Sequence, residues 1–430
     1  MLSHLLAPWL ARRGIHYGWA MVGATFLTML ATSASVGLPG VLIVPLRVEF
    51  GWDTGAISGP LALRLALYGL VGPFAAALML RYGLRTVVCT ALALIMVGLG
   101  LATFMTEIWQ LWLTWGLTVG FATGMTAMVF GVTVANRWFT ARRGLVLGLL
   151  GASTATGQLV FLPAAAWLAS HLGWRMAVIP AVAACGVCFV LMLLIARDHP
   201  GELGLAPYGE ATVSPPPRRS AAGNVAWLSV TALADASRTR VFWLLFFTFF
   251  VCGLSTNGTV QTHFIPLCHD FGMPEVEAAS VLAMMGIFDF FGTVASGWLS
   301  DRYDNRRLLF WYYAGRGVSL IVLPFSTFTF YGLSIFAVFF GLDFIATVPP
   351  TIRLTAQSFG RERAGVVFGW VFAAHQLGGA VAAWGTGASR DALATYLPAF
   401  FVTGLACFVA ALATLFLRRP SAALPVPVRA

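Results

Sequence analysis

The sequence predicts an all-α membrane protein of twelve transmembrane helices, arranged as two six-helix pseudo-symmetric halves. Three observations carry that prediction. Hydrophobic residues make up 59% of the 430-residue chain and charged residues only 10%, with a mean hydropathy of +0.84. A soluble domain carries about 25% charged residues, so this chain cannot cover a water-facing surface. Apolar runs of the roughly 20 residues needed to cross a bilayer recur along its whole length. Finally, "VPLRVEFGW" at 44–52 returns 221 positions later as "IPLCHDFGM" at 265–273, with a proline, an acid and a Phe-Gly pair in register.

The elements follow in order. "LLAPWLARRG" at 5–14 reads as a short amphipathic lead-in lying on the membrane surface. No short apolar region with a cleavage site precedes the first span, so a cleaved signal peptide is not expected. The first half, residues 1–196, holds spans at 17–44, 57–79, 86–104, 109–135, 143–168 and 175–196. In it, "VPLRVEFGW" ends the first span: proline near the helix end, an acid in the turn, then Phe-Gly as the chain reverses. The fourth span opens with Trp109, Trp112 and Trp115, expected in an interfacial belt. Gly144, Gly148, Gly151 and Gly157 mark the fifth as a closely packed helix. The sixth contains Cys185 and Cys188, a C-x-x-C that reads as helix packing because all around it is apolar. A polar linker at 197–240, interrupted by "SPPPRR", divides the chain. The second half, residues 241–430, holds spans at 241–267, 276–299, 307–325, 328–356, 364–388 and 393–417. Its eleventh span carries Gly378 and Gly379, again read as close packing.

Charge sets the orientation. All 26 basic residues are arginine, and the net charge is +10. The arginines are scattered in short loops, which suits a topology signal and not nucleic acid. With the termini and linker on one side, that side holds twenty arginines and the other three, Arg47, Arg175 and Arg390. This places both termini in the cytoplasm.

The 221-residue shift aligns Arg81 with Arg302 and Arg85 with Arg306, each pair following the second helix of its half. It also aligns Gly144, Gly148 and Gly157 with Gly365, Gly369 and Gly378. Two parallel repeats build a substrate site at their interface near the bilayer midplane.

"GWLSDRYDNRR" at 297–307 resembles the signature loop of the major facilitator superfamily, Gly-x-x-x-Asp-Arg-x-x-x-Arg-Arg/Lys. The first-half counterpart, "ALMLRYGLR" at 77–85, keeps Arg81, Gly83 and Arg85 but has Leu80 for the aspartate and Ala76 for the glycine. The resemblance implies the major facilitator fold, and that Asp301 with Arg302, Arg306, Arg81 and Arg85 gates the cytoplasmic side. The alternative is a solvated loop cluster. "RWFTARRGLVLGLLGASTATGQ" at 137–158, with Gly-Trp at 51–52 and 173–174, resembles the monocarboxylate-porter and oxalate/formate-exchanger branch. That branch implies an aspartate in the eighth helix, matched by Asp289, and an arginine four residues on, where Thr293 stands. Its membrane lysine is absent from this chain.

Charged residues inside spans cost roughly 2.5–3.5 kcal/mol each, and they line pathways or pair with one another. Arg64 has no intramembrane acid in its own half. It either binds a carboxylate through its fork of donors or pairs with Glu49 or Asp53 just outside. Tyr68, Asn257, Gln261, His375 and Gln376 complete the expected substrate-binding set, with His263 also in the outer half of the seventh helix. Asp289, Arg316, Asp343 and Arg353 are the expected buried charges. Arg316 is expected to neutralise Asp289, which leaves Asp343 the freer acid. Asp343, with His375, is the residue type that exchanges protons.

These readings describe a monomeric secondary transporter of a bacterial inner membrane. It carries a small organic anion, a monocarboxylate as the leading candidate, coupled to protons or by exchange. The rival is a drug or metabolite exporter on the same fold. The sequence offers no nucleotide loop, metal-ligand cluster or nucleophile triad, so neither an enzyme nor a cofactor is expected.

Overall fold

The computed structural model describes residues 2–213 and 222–417. The "SPPPRR" stretch, with Arg218 and Arg219, and the C-terminal arginines therefore lie outside the described residues. The lead-in is a helix, Leu2–Arg12, with Leu5 and Trp9 exposed. The spans of the first half are α1 (Gly18–Phe50), α2 (Thr54–Tyr82), α3 (Leu84–Ala102), α4 (Ile108–Trp138), α5 (Arg143–Val160 and Leu162–Leu172) and α6 (Trp174–Ile195). Those of the second half are α7 (Arg240–Asp270), α8 (Glu275–Arg302), α9 (Asn305–Phe325), α10 (Phe330–Phe359), α11 (Arg361–Leu393) and α12 (Leu397–Leu415). Among the described residues, eleven of these helices are long and apolar enough to cross a membrane.

The exception is α5. It is split into two helices that meet at Phe161, and the second has Pro163 in its first turn. Proline has no N–H to donate and its ring clashes with the carbonyl four residues back, so one continuous span is interrupted. Three other details depart from the sequence reading. Trp109 and Trp112 are exposed as expected of a belt, but Trp115 is buried in the core. Gly157 and Gly378 are closely packed, against the backbone of Leu30 and of Phe250, whereas Gly148 faces open space. The third lies in α10, which is not continuous: it stops at Asp343 and resumes at Val348, ahead of Pro349 and Pro350.

The repeat is visible in the backbone. Gly51 and Gly272 both end a first helix in the left-handed conformation, at φ 68° and 81°, where a side chain would be strained. The acid before each holds an arginine of its own half, Glu49 with Arg175 and Asp270 with Arg390, both at 2.6 Å. Gly173 and Ala394, again 221 apart, share a positive φ of 89° and 56°.

The two halves meet along α2 and α11, which run together over most of their length, along α5 and α8, and where the far ends of α1 and α7 touch. The linker contributes a helix, Ala222–Ala236, lying against both α2 and α11. Trp370 of α11 donates its indole N–H to the Ser229 carbonyl at 2.9 Å, and Phe74 of α2 packs edge-on to that indole. The end of the bundle bearing this helix is called the linker face below, and its opposite the far face.

Candidate functional site

Two polar groups stand out inside the bundle. The first is at the α2–α7–α11 junction. Residues Leu254–Gln261 of α7 wind as a π-helix, a geometry that inserts an extra residue per turn and is common at functional sites. Thr259 and Thr262 return their hydroxyls to the carbonyls five residues back, those of Leu254 and Asn257. This turn presents Asn257, whose amide donates to Gln376 of α11 at 3.3 Å, and Thr256, 3.4 Å from Nε2 of His375. The His375 ring stacks on Phe372 and leans on Phe249, while its Nδ1 is buried without a partner. Tyr68 of α2 meets Phe372 edge-on. Gln261 is buried in the same helix. His263 is instead a tie between helices, bonded to the Ala383 carbonyl at 2.7 Å.

Arg64 lies one turn before Tyr68, beside the contact of Leu65 with Ala380 and Ala383. It is 1% exposed, and its Nε and Nη1 have no hydrogen-bond partner. Of the two acids named for it in the sequence, Glu49 is taken by Arg175, and Asp53 forms no ion pair among the described residues. Of the six expected substrate residues, Asn257 bonds Gln376, and Tyr68 and His375 share Phe372, while Arg64 is buried on α2 and Gln261 on α7, with Arg64 Nε and Nη1 unpartnered.

The second group surrounds the break in α10, and it corrects the expected pairing. Arg316 bonds Asp343, not Asp289, through Nε at 2.6 Å. Asp343 is therefore not the free acid, although its Oδ1 has no partner. The physical reason is the break itself. Backbone groups that lose their helical partners inside a membrane must be satisfied by side chains. Arg316 donates Nη2 to the carbonyls of Asp343 and Phe344 at 2.5 and 3.2 Å, and Nη1 to Cys252 and Ser255. Asp289 accepts the Ile345 N–H at 2.9 Å and the Thr293 hydroxyl, and Ser296 donates to the Ala346 carbonyl. Thr293, where the resembled branch has arginine, here serves the aspartate. Helices α8 and α9 each give one charge to hold α10 open.

The expected gating cluster is dispersed. Arg353 is not a buried charge: it is half-exposed and pairs with Asp301 inside the second half. Arg302 lies over the Trp298 ring. Arg306 binds Asp304 at 2.6 Å and the Leu417 carbonyl at 2.8 Å. The Arg306 hydrogen bonds hold the Asp304 carboxyl below its usual range. In the first half, Arg81 lies over Tyr82. Asp198, at the start of the linker, accepts the Arg85 backbone N–H at 2.9 Å, while its carbonyl accepts from Arg137. A carboxylate from outside the loop thus caps α3, where the second half caps α9 with Asp304, the counterpart of Gly83.

Sequence reasoning passed over Asp391. It falls between the spans read at 364–388 and 393–417. In the structure it bonds the first turn of α2, across the two halves.

Comparison with known proteins places this geometry. The chain is 27% identical to monocarboxylate transporter 13 of Rattus norvegicus over 398 residues, covering 90% of this chain and 86% of that protein. It is 22% identical to the MFS-type transporter YcxA of Bacillus subtilis, over 88% of this chain and 90% of that one. Among solved structures, the D-xylose-proton symporter superposes with a TM-score of 0.71 at 15% identity, covering 94% of this chain and 98% of that chain. A mutant of the nucleoside transporter NupG gives 0.73 at 12%, covering 94% and 100%. The family profile described as Major Facilitator Superfamily matches residues 21–383. The helical bundle, its internal repeat and this match agree, and the chain belongs to the Major Facilitator Superfamily, as a transporter and not an enzyme.

Proposed function

We propose that the protein is a monomeric secondary transporter that moves a small organic anion, with a monocarboxylate as the leading candidate. It works by alternating access, coupled to protons or by exchange, in a bacterial inner membrane with both termini cytoplasmic. One observation carries the reading: Arg64 is buried on α2, one turn before Tyr68, with Nε and Nη1 unpartnered. A buried charge without a partner is costly, and an arriving carboxylate removes that cost through two parallel hydrogen bonds. The named substrates of the monocarboxylate relatives support the same chemistry, and the arginine asymmetry supports the orientation.

On this reading Tyr68, Asn257, Gln261, His375 and Gln376 contact the remainder of the anion. The test is a thermal-stability screen of purified protein against monocarboxylates, sugars, amino acids and lipophilic cations, run beside Arg64→Gln and Arg64→Lys. A ligand at about 100 times its Kd stabilises the folded state by about 2.7 kcal/mol. A monocarboxylate is expected to raise the melting temperature of the wild type but of neither variant, since lysine keeps the charge and loses the fork. Equal stabilisation of wild type and Arg64→Gln would refute the role of Arg64. Stabilisation by bulky lipophiles alone would replace the anion reading with an exporter.

A further inference from the structure

Helix α2 begins at Thr54 with Asp53 in the capping position, extended at φ −66° and ψ 152°. An aspartate there ordinarily accepts a backbone N–H of the first turn and satisfies one of the amides that have no partner within the helix. The Asp53 side chain does not do so. Those amides are instead bonded by the carboxylate of Asp391, at the end of α11 in the other half: Thr54 N–H to Oδ1 at 3.0 Å and Gly55 N–H to Oδ2 at 2.5 Å. Both oxygens are used, and the negative charge faces the positive end of the α2 dipole.

The surroundings fit a closed joint. A methyl at Gly55 would stand 2.8 Å from Asp391 Oδ2 and 3.3 Å from the Ala388 Cα. One turn further in, Gly387 is so close to α2 that a methyl would sit 2.8 Å from the Ser58 Cβ. Beside it, a methyl at Gly40 of α1 would sit 2.7 Å from the Gln261 carbonyl oxygen of α7. Small residues therefore let the halves touch backbone to backbone at the far face, and Asp391 bonds across the rim of that contact.

We propose that Asp391 and Asp53 exchange as caps of α2, and that this exchange is the latch of the far-face gate. With the far face closed, Asp391 caps α2 from the opposite half. When the halves part there, Asp391 withdraws into water and Asp53 takes the freed amides, so α2 is capped in both states. The inference rests on the alternating-access reading above, since only a motion between halves separates α2 from α11.

The experiment measures the gate without substrate, so its outcome is independent of the anion reading. Ser58→Cys serves as the reporter: Ser58 is fully buried at the α2–α11 contact and its hydroxyl has no hydrogen-bond partner, so the change forfeits none. The six native cysteines are all buried, and the parent protein sets the background. Right-side-out vesicles are treated with a membrane-impermeant maleimide, and the labelling rate is read. A side-chain cap is worth about a two- to thirtyfold change in an equilibrium. Asp391→Ala is expected to speed labelling within that range, and Asp53→Ala, which uncaps the open state alone, to slow it. Asp391→Asn keeps one acceptor oxygen and is expected to fall between; it decides the matter if Asp391→Ala does not reach the membrane folded. An unchanged rate in either aspartate variant, or faster labelling in Asp53→Ala, overturns the proposal.

Discussion

Replacing Arg316 by methionine removes the clamp on the α10 break while keeping an unbranched apolar stem. Arg316 is fully buried and makes a 2.6 Å ion pair with Asp343, together with hydrogen bonds to the carbonyls of Asp343 and Phe344. Removing one partner of a buried pair costs about 3–5 kcal/mol, because the other charge is left uncompensated. Each orphaned carbonyl adds about 1–3 kcal/mol. Closure of α10 into a continuous helix would recover part of this by restoring backbone bonds. The Val348-Pro349-Pro350 segment opposes such closure, because prolines have no N–H with which to complete the ladder. The expected loss for Arg316→Met is therefore at least about 3 kcal/mol.

The assay is unfolding by SDS titration in mixed micelles, followed by tryptophan fluorescence. The decisive comparison is the double variant Arg316→Met with Asp343→Asn. It removes both charges and leaves only the carbonyl cost, so it should be more stable than Arg316→Met alone by about 1–3 kcal/mol of coupling. A single-variant loss below about 1 kcal/mol, or strictly additive effects, would show that the pair does not hold the break.

Further expectations follow from the same geometry. Asp343→Asn should abolish uptake driven by a pH gradient while sparing exchange of internal for external substrate; driven uptake at the wild-type rate excludes Asp343 as the coupling acid. Gly173→Ala should destabilise by roughly 1 kcal/mol, because φ is 89° there, and Ala394→Gly at the equivalent site should stabilise by a similar amount; effects of the same sign in the two variants would contradict the strain argument. Asp304, held below the usual carboxylate range chiefly by the Arg306 side chain, contributes stability that is present above its unfolded pKa. That contribution is lost as pH falls through the folded value. Protection of the Arg306 amide, which donates to Asp304 at 3.0 Å, should decline only as the pH falls below the ordinary aspartate value of about 3.9 in hydrogen exchange. The pH-dependent part of the decline should vanish in Asp304→Asn, and its persistence there would assign it to another group.

What was legible in the sequence was what repeats. Span length, the arginine asymmetry and the 221-residue echo are one-dimensional signals, and they gave the bundle and its two halves. That Arg64, Tyr68, Asn257, Gln261, His375 and Gln376 are buried polar residues was also legible, because each lies within an apolar span. What failed was azimuth. Asp289, Arg316 and Asp343 share a depth, and depth alone does not say which pair meets. The deciding fact was the break between Asp343 and Val348, whose only mark in the sequence is the pair of prolines after it. Pro163 left the same faint mark on α5. Asp198 and Asp391 were missed for another reason: each caps a helix distant in sequence, and no local pattern announces a cap supplied by another segment.

The distribution of charge ties the coupling question to the fold. Among the described residues deep in the bundle, Arg64 and Arg316 stand against Asp289 and Asp343, so with all four ionised the interior is formally neutral. The second half is internally engaged: Arg316 pairs with Asp343, and Arg316 and Asp289 each bond the broken backbone of α10. Of these four, the first half holds Arg64 alone. An anion entering by itself would satisfy Arg64 but leave the interior one negative charge in excess, at a cost of the order of 2.5–3.5 kcal/mol on insertion scales. Two processes avoid that cost. A proton taken up by an interior acid restores neutrality, and the unpartnered Oδ1 of Asp343 gives it a place to sit. Replacement of one bound anion by another never changes the charge at all. Symport with a proton and anion exchange are thus the two cycles this arrangement favours. The Asp343→Asn variant separates them, because it removes the proposed proton seat and leaves the proposed anion seat at Arg64 intact.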